Sequence, residues 1–265
     1  MSLQLPAFPA MRRADLLLVW GAVIAAWTIT IALLATGGGS WLVDHDDMLG
    51  NRRFGPVVTL ALLLGTWQLM TAAMMLPSSL PMIAMFRRVA GRDAHPGRRF
   101  GTFLLGYFAI WTGFAVAALL GDAGVHWLDD NVRAVGDRPW VFGGAVLVVA
   151  GAFQFSDLKE KCLDACRDPM AFLWQHYIAG SRSAWHLGIR HGLFCLGCCW
   201  ALMLTMFAVG MGSLVWMVAI TGIMVMEKVT RYGNRMAAPV GAGLIAWGGL
   251  LILQPDWLPA ILRIA

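Results

Sequence analysis

"GLFCLGCCWALMLTMFAVGMGSLVWMVAITGIMVM", residues 192–226, carries no charged side chain from end to end. A helix needs about 20 apolar residues to cross the hydrocarbon core of a bilayer. The run is too long for one crossing and long enough for two. "GMGS" at 210–213 offers two glycines for a tight reversal, so it divides into spans at 192–209 and 212–227. Away from water the backbone must satisfy its own hydrogen bonds, which makes both segments helices.

The same test along the chain gives further spans at 16–36, 57–77, 101–121, 140–156 and 237–254. The predicted fold class is therefore all-α, a polytopic transmembrane helical bundle of about seven spans, with residues 1–265 as one domain. The fourth span is short, and its helix is expected to continue past Phe155 into "SDLKEKCLDACR". Arg12 and Arg13 precede a first span too long for a signal-peptide core, and no small-x-small site follows it. It reads as an uncleaved helix.

Composition agrees. The chain is 59% hydrophobic and 13% charged, where a soluble domain carries about 25% charge. Its partner is a lipid bilayer. The net charge of +5 is no nucleic-acid signal, because its distribution follows the spans. One side collects Arg12, Arg13, Arg87, Arg88, Arg92, Arg98, Arg99, Lys159, Lys161, Arg167, Arg182, Arg190, Lys228, Arg231 and Arg235. The other holds Arg52, Arg53, Arg133, Arg138 and Arg263, with the acidic "DHDD" at 44–47. The positive-inside rule then predicts a cytoplasmic N-terminus and a C-terminus outside. Between spans, Asp168-Pro169 suits a helix start, and Leu173, Trp174, Tyr177 and Ile178 suit either the membrane surface or a short linking helix.

Within this frame the sulfur atoms are unevenly placed. All five cysteines lie between 162 and 199. At 100° per residue, His191, Cys195, Cys198, Cys199, Met203 and Met206 share one helix face, within an arc of about 140°. Cysteines three or four apart bring their Cβ atoms to roughly 5–6 Å, a spacing at which two thiolates hold one soft ion. Cys198 and Cys199 diverge by about 100°, so they are not expected to serve the same ion as Cys195 together. Cys162 and Cys166 make a second pair, four apart. In the second span Trp67, Met70 and Met74 share a face, Met75 points elsewhere, and Pro77 frees backbone carbonyls. In the sixth, Met217, Thr221, Met224 and Lys228 align with Glu227 beside them. Ionisable residues ending an apolar run are functional candidates.

Each residue also has a plainer reading. Methionine in a span is ordinarily a packing residue, and a lone cysteine is a small hydrophobe. The grouping of the cysteines on one side argues for chemistry. Thiolate plus thioether selects Cu(I), whereas zinc would recruit cysteine and histidine without methionine. A dithiol exchanging electrons through Cys195 and Cys198 also accounts for the cysteines, but not for the methionines. A third reading is a structural subunit whose sulfurs only pack.

Taken together, "WQLMTAAMMLPS" (67–78), "LKEKCLDACRDP" (158–169), "GLFCLGCCWALM" (192–203) and "MEK" (226–228) resemble, in this order, a bacterial family of predicted metal-binding integral membrane proteins. That family includes the membrane copper chaperone associated with tyrosinases. The resemblance covers roughly residues 55–230. It implies copper binding in the bacterial inner membrane and delivery to a copper-dependent enzyme, without catalysis by this chain. The candidate metal residues are Cys162, Cys166, Cys195, Cys198, Cys199, Met70, Met74, Met203, Met206, His191 and Glu227. In that scheme Cys162 and Cys166 capture the ion, the 195–199 cysteines hold it, the methionines carry it toward mid-membrane, and Glu227 balances charge or exchanges a proton.

Overall fold

The computed structural model describes residues 13–35, 55–91, 95–131, 140–210, 213–230 and 233–254. The elements there are helices: α1 (Arg13–Ala35), α2 (Pro56–Ala90), α3 (Pro96–Asn131), α4 (Trp140–Phe153), α5 (Asp157–Arg167), α6 (Pro169–His176), α7 (Ser181–Val209), α8 (Leu214–Val229) and α9 (Gly233–Leu253). The all-α bundle is as the apolar runs require. The acidic 44–47 loop with His45, and residues 211–212 of the reversal, lie outside the described residues.

The helices outrun the apolar segments. α2 runs through Pro77 and Pro81 to Ala90, and α7 begins eleven residues before the expected span, at Ser181. Five helices, α1, α2, α3, α7 and α9, are long and apolar enough to cross a membrane. The number is six if α4 and α5 form one broken span. The count of seven thus rests on α4 and α8, of 14 and 16 residues. At 1.5 Å per residue these measure about 21 and 24 Å, short of a hydrocarbon core of about 30 Å.

The expected continuation past Phe155 is corrected. The chain bends by 66° between α4 and α5. Ser156 takes extended backbone angles and its side chain accepts the Lys159 N–H, capping a new helix. At the reversal Gly210 has φ 90°, a conformation costly for any residue with a Cβ, and α8 starts just after Ser213. Asp168 caps α6 through the Ala171 N–H, with Pro169 next in line. Of the two readings of this segment, the short linking helix is present as α6, with Leu173 buried, Trp174 exposed and Ile178 exposed just beyond its end.

Glycines set the closest helix contacts. α7 meets α3 where Gly188 lies on the Phe103 backbone and Gly106 on the Trp185 carbonyl. α4 meets α9 through Gly144 against Gly248 and Gly151 against Gly241, each pair seven residues along its own helix. Between apolar helices in lipid, small residues allow the close packing that drives association. α2 adds a polar tie. Pro77 has no N–H to return to the Ala73 carbonyl four residues back, and the Trp27 indole of α1 donates to that oxygen instead, at 3.0 Å. One carbonyl freed by Pro77 is therefore spent on packing. The result is a core that runs through α1, α2, α3, α5, α6, α7 and α8 and contains every cysteine.

Candidate metal centre

The glycine contact between α3 and α7 brings Tyr107 against the α7 cysteine face. The Tyr107 hydroxyl lies 3.2 Å from Cys195 Sγ and 3.1 Å from Ser79 Oγ, and Ser79 Oγ is 3.8 Å from the same sulfur. One turn earlier, His191 stacks on Tyr107 and Phe103 with centroids 5.4 and 6.0 Å apart. It is buried, and neither ring nitrogen has a hydrogen-bond partner among the described residues.

The three α7 cysteines face different neighbours, as their angular divergence requires. Cys195 faces Tyr107, Ser79 and Lys228, whose Nζ donates to Cys195 Sγ at 3.1 Å. Cys199 faces α2, with Sγ 3.7 Å from Met75 Sδ and 3.9 Å from Lys228 Nζ. Cys198 turns to α5, where Cys166 Sγ is 4.0 Å away. The Cys198 and Cys199 thiols also donate to the Cys195 carbonyl, at 3.1 and 2.8 Å. Cys162 packs against Gly197: a Cβ added there would stand 2.5 Å from its sulfur. All five cysteines are buried and free of disulfides.

This arrangement makes two sulfur groups. Cys195 and Cys199 meet Lys228, and Met75 lies against Cys199. Cys198 and Cys166 meet across α5 and α7, with Cys162 nearby. An ion bound at about 2.3 Å to each sulfur, the length of a zinc–thiolate bond, bridges sulfurs up to roughly 4.6 Å apart. Both observed separations, 3.7 and 4.0 Å, fall inside that limit. Among the described residues no three His, Cys, Asp or Glu side chains converge as a metal-holding group. The sulfurs approach in pairs, and the thioether and the ammonium complete one of them.

Met75, off the Met70–Met74 face as its angle requires, brings its sulfur to Cys199. Met70, Met74, Met203 and Met206 are buried in the same core. Glu227 is buried, yet its carboxylate is engaged elsewhere. Lys159 Nζ donates to both its oxygens, at 2.9 and 2.8 Å, and also to Gln154 Oε1. The Glu227 carbonyl receives the Arg167 guanidinium. The charge beside the sulfurs is that of Lys228. Its alignment with Met217 and Met224 was the available signal. Tyr107, Ser78 and Ser79 gave none, because a polar residue in an apolar run does not reveal which helix it meets.

A family model described as a copper chaperone, PpoB2, matches residues 64–251. No curated protein matches the chain, and no solved structure does. The matched segment holds all five cysteines, Met75, Tyr107, His191 and Lys228, and with most of its length inside that match the chain belongs to the PpoB2 copper chaperone family.

Proposed function

We propose that this chain holds Cu(I) in a bacterial cytoplasmic membrane through cysteine and methionine sulfur and hands it to a copper enzyme. The observation that carries the reading is the pair of sulfur approaches, Cys199 to Met75 at 3.7 Å and Cys166 to Cys198 at 4.0 Å. Both lie in a chain of a copper chaperone family. Soft ligands in small number suit Cu(I). Several weak stations suit transfer, since an ion held too tightly does not leave. Cys162 and Cys166 are the capture pair at the polar helix α5, Cys198 is the acceptor across from it, and Cys195, Cys199 and Met75 are the holding group. Met70, Met74, Met203 and Met206 are further thioether steps, and His191 is a reserve ligand. Glu227 acts at one remove, through Lys159.

The test is copper analysis of the purified full chain after copper(I) loading, against Cys195→Ser/Cys198→Ser/Cys199→Ser. Wild type should retain about one copper or more per chain, and the variant at least about ten-fold less, as expected for lost ligands. A wild type that binds no copper but titrates as a reversible dithiol would replace this reading with a redox one, which the Cys166–Cys198 approach favours. A wild type that does neither would leave a packing role.

The proposed orientation places α5 and α6 on the cytoplasmic side. Trp174, 90% exposed on α6, is the position to label. In a background lacking the native cysteines, Trp174→Cys should react with an impermeant maleimide only in inverted vesicles. Reaction in intact cells alone would invert the map.

A further inference from the structure

The Lys228 ammonium occupies an unusual position. It lies at the inner face of α8, buried, with three acceptors for its three N–H bonds: Ser78 Oγ and Cys195 Sγ at 3.1 Å, and Cys199 Sγ at 3.9 Å. The Ser78 hydroxyl donates to the Met75 carbonyl at 2.9 Å, which leaves its lone pairs to face the lysine. Lys159 and Glu227, on α5 and α8, are paired with each other. Lys228 is the ammonium that reaches Cys195 and Cys199.

We propose that Lys228 is the specificity-determining residue of the Cys195–Cys199–Met75 group, its fixed positive charge making that group take a soft monovalent cation in preference to a divalent one. The inference rests on the reading that these sulfurs hold copper. The argument is a charge count. Cysteine binds metal as thiolate, so two thiolates carry −2 and the ammonium brings the group to −1. One monovalent ion makes it neutral, and Met75 adds a ligand without adding charge. A divalent ion leaves a net +1 in a site closed to water. At about 4 Å and an effective dielectric near 20, one unit of charge against another corresponds to roughly a 1,000-fold change in affinity. The same lysine opposes the monovalent ion once and the divalent ion twice. Discrimination thus comes from the second charge, in addition to ligand softness.

The test uses Ag(I) as a redox-inert monovalent probe and Cd(II) as a thiophilic divalent one. Both are titrated against chelators on the full chain in detergent, with Cys162→Ser/Cys166→Ser removing the other sulfur group. The parent should prefer Ag(I). Lys228→Met should shift the Cd(II)-to-Ag(I) affinity ratio toward Cd(II) by about 30-fold or more, a discounted form of the Coulomb estimate. Lys228→Arg, which keeps the charge, should leave the ratio within a few-fold. Lys228→Gln replaces the Met variant if that one does not elute as a folded species. An unchanged ratio in the neutral variant, or one shifted equally by Lys228→Arg, overturns the inference. A parent that binds both ions alike overturns it and leaves the copper reading standing. A parent that binds no Ag(I) overturns the inference, and a wild type that binds none either removes the copper reading with it.

Discussion

Glu227→Ala is expected to cost the folded protein about 3–5 kcal/mol, the usual penalty for stranding one member of a buried ion pair. The side chains of Lys159 and Glu227 are 1% and 2% exposed. Without the carboxylate, Lys159 keeps only the Gln154 oxygen among the described residues, and at 1% exposure its charge is shut off from solvent. The loss should appear in equilibrium unfolding in mixed micelles. Lys159→Met/Glu227→Met should recover most of it, since an apolar pair of similar volume carries no stranded charge. A single-variant cost under about 1 kcal/mol would mean that Lys159 finds another partner. The pair joins α5 to α8, so the same variant should also loosen the approach of Cys166 to Cys198. Disulfide trapping between those two residues should become slower.

Gly188→Ala is expected to be as damaging, although it adds a single methyl. Its Cβ would meet the Phe103 carbonyl and backbone, and backbone cannot rotate aside. α3 and α7 would have to separate. Overpacking of a close interior costs about 1–3 kcal/mol and sometimes more, and this site belongs at the upper end. Gly192→Ala is the milder comparison, because its added Cβ meets Ile110 Cβ at 3.0 Å and the Tyr107 carbonyl at 3.3 Å, contacts that a small shift relieves. Separation of α3 from α7 also removes the Tyr107 hydroxyl from Cys195. Copper retention should therefore fall in the Gly188 variant without loss of any sulfur. Equal retention and stability in the two glycine variants would show that the α3–α7 contact yields more readily than its geometry implies.

The sequence exposes some of this and conceals the rest, for physical reasons. The length of apolar runs identifies bundle helices because lipid leaves the backbone no alternative. Helix ends are less legible, since α2 and α7 continue as helix beyond the apolar stretch and hydropathy is silent there. The turn at Ser156 depends on one side chain accepting one N–H, too local for a hydropathy pattern. Within one helix, angular arithmetic is sound: the divergence of Cys198 from Cys199 is realised, one facing α5 and the other α2. Between helices it fails. Met75 was set apart from Met70 and Met74 by its angle, yet the rotation of α2 that faces it to Cys199 is fixed by Trp27, Pro77 and the neighbours of α2. Glu227 and Lys228 are adjacent and equally conspicuous, and only the docked helices show which one touches sulfur. The seven-residue glycine spacing shared by α4 and α9 takes on meaning only once the helices are docked, where it carries a close contact.

The three acceptors around Lys228 also set a schedule. Ser78 precedes Lys228 by 150 residues, and Cys195 precedes it by 33. At synthesis rates of about 5–20 residues per second, the lysine emerges roughly 8–30 s after the serine and 2–7 s after the cysteine. For that interval the nascent chain presents Cys195 and Cys199 without the cation that later sits between them. The group is completed only when one of the last helices arrives, so on the proposed copper reading biogenesis includes a brief stage at which ligand softness alone sorts the ions these thiols meet.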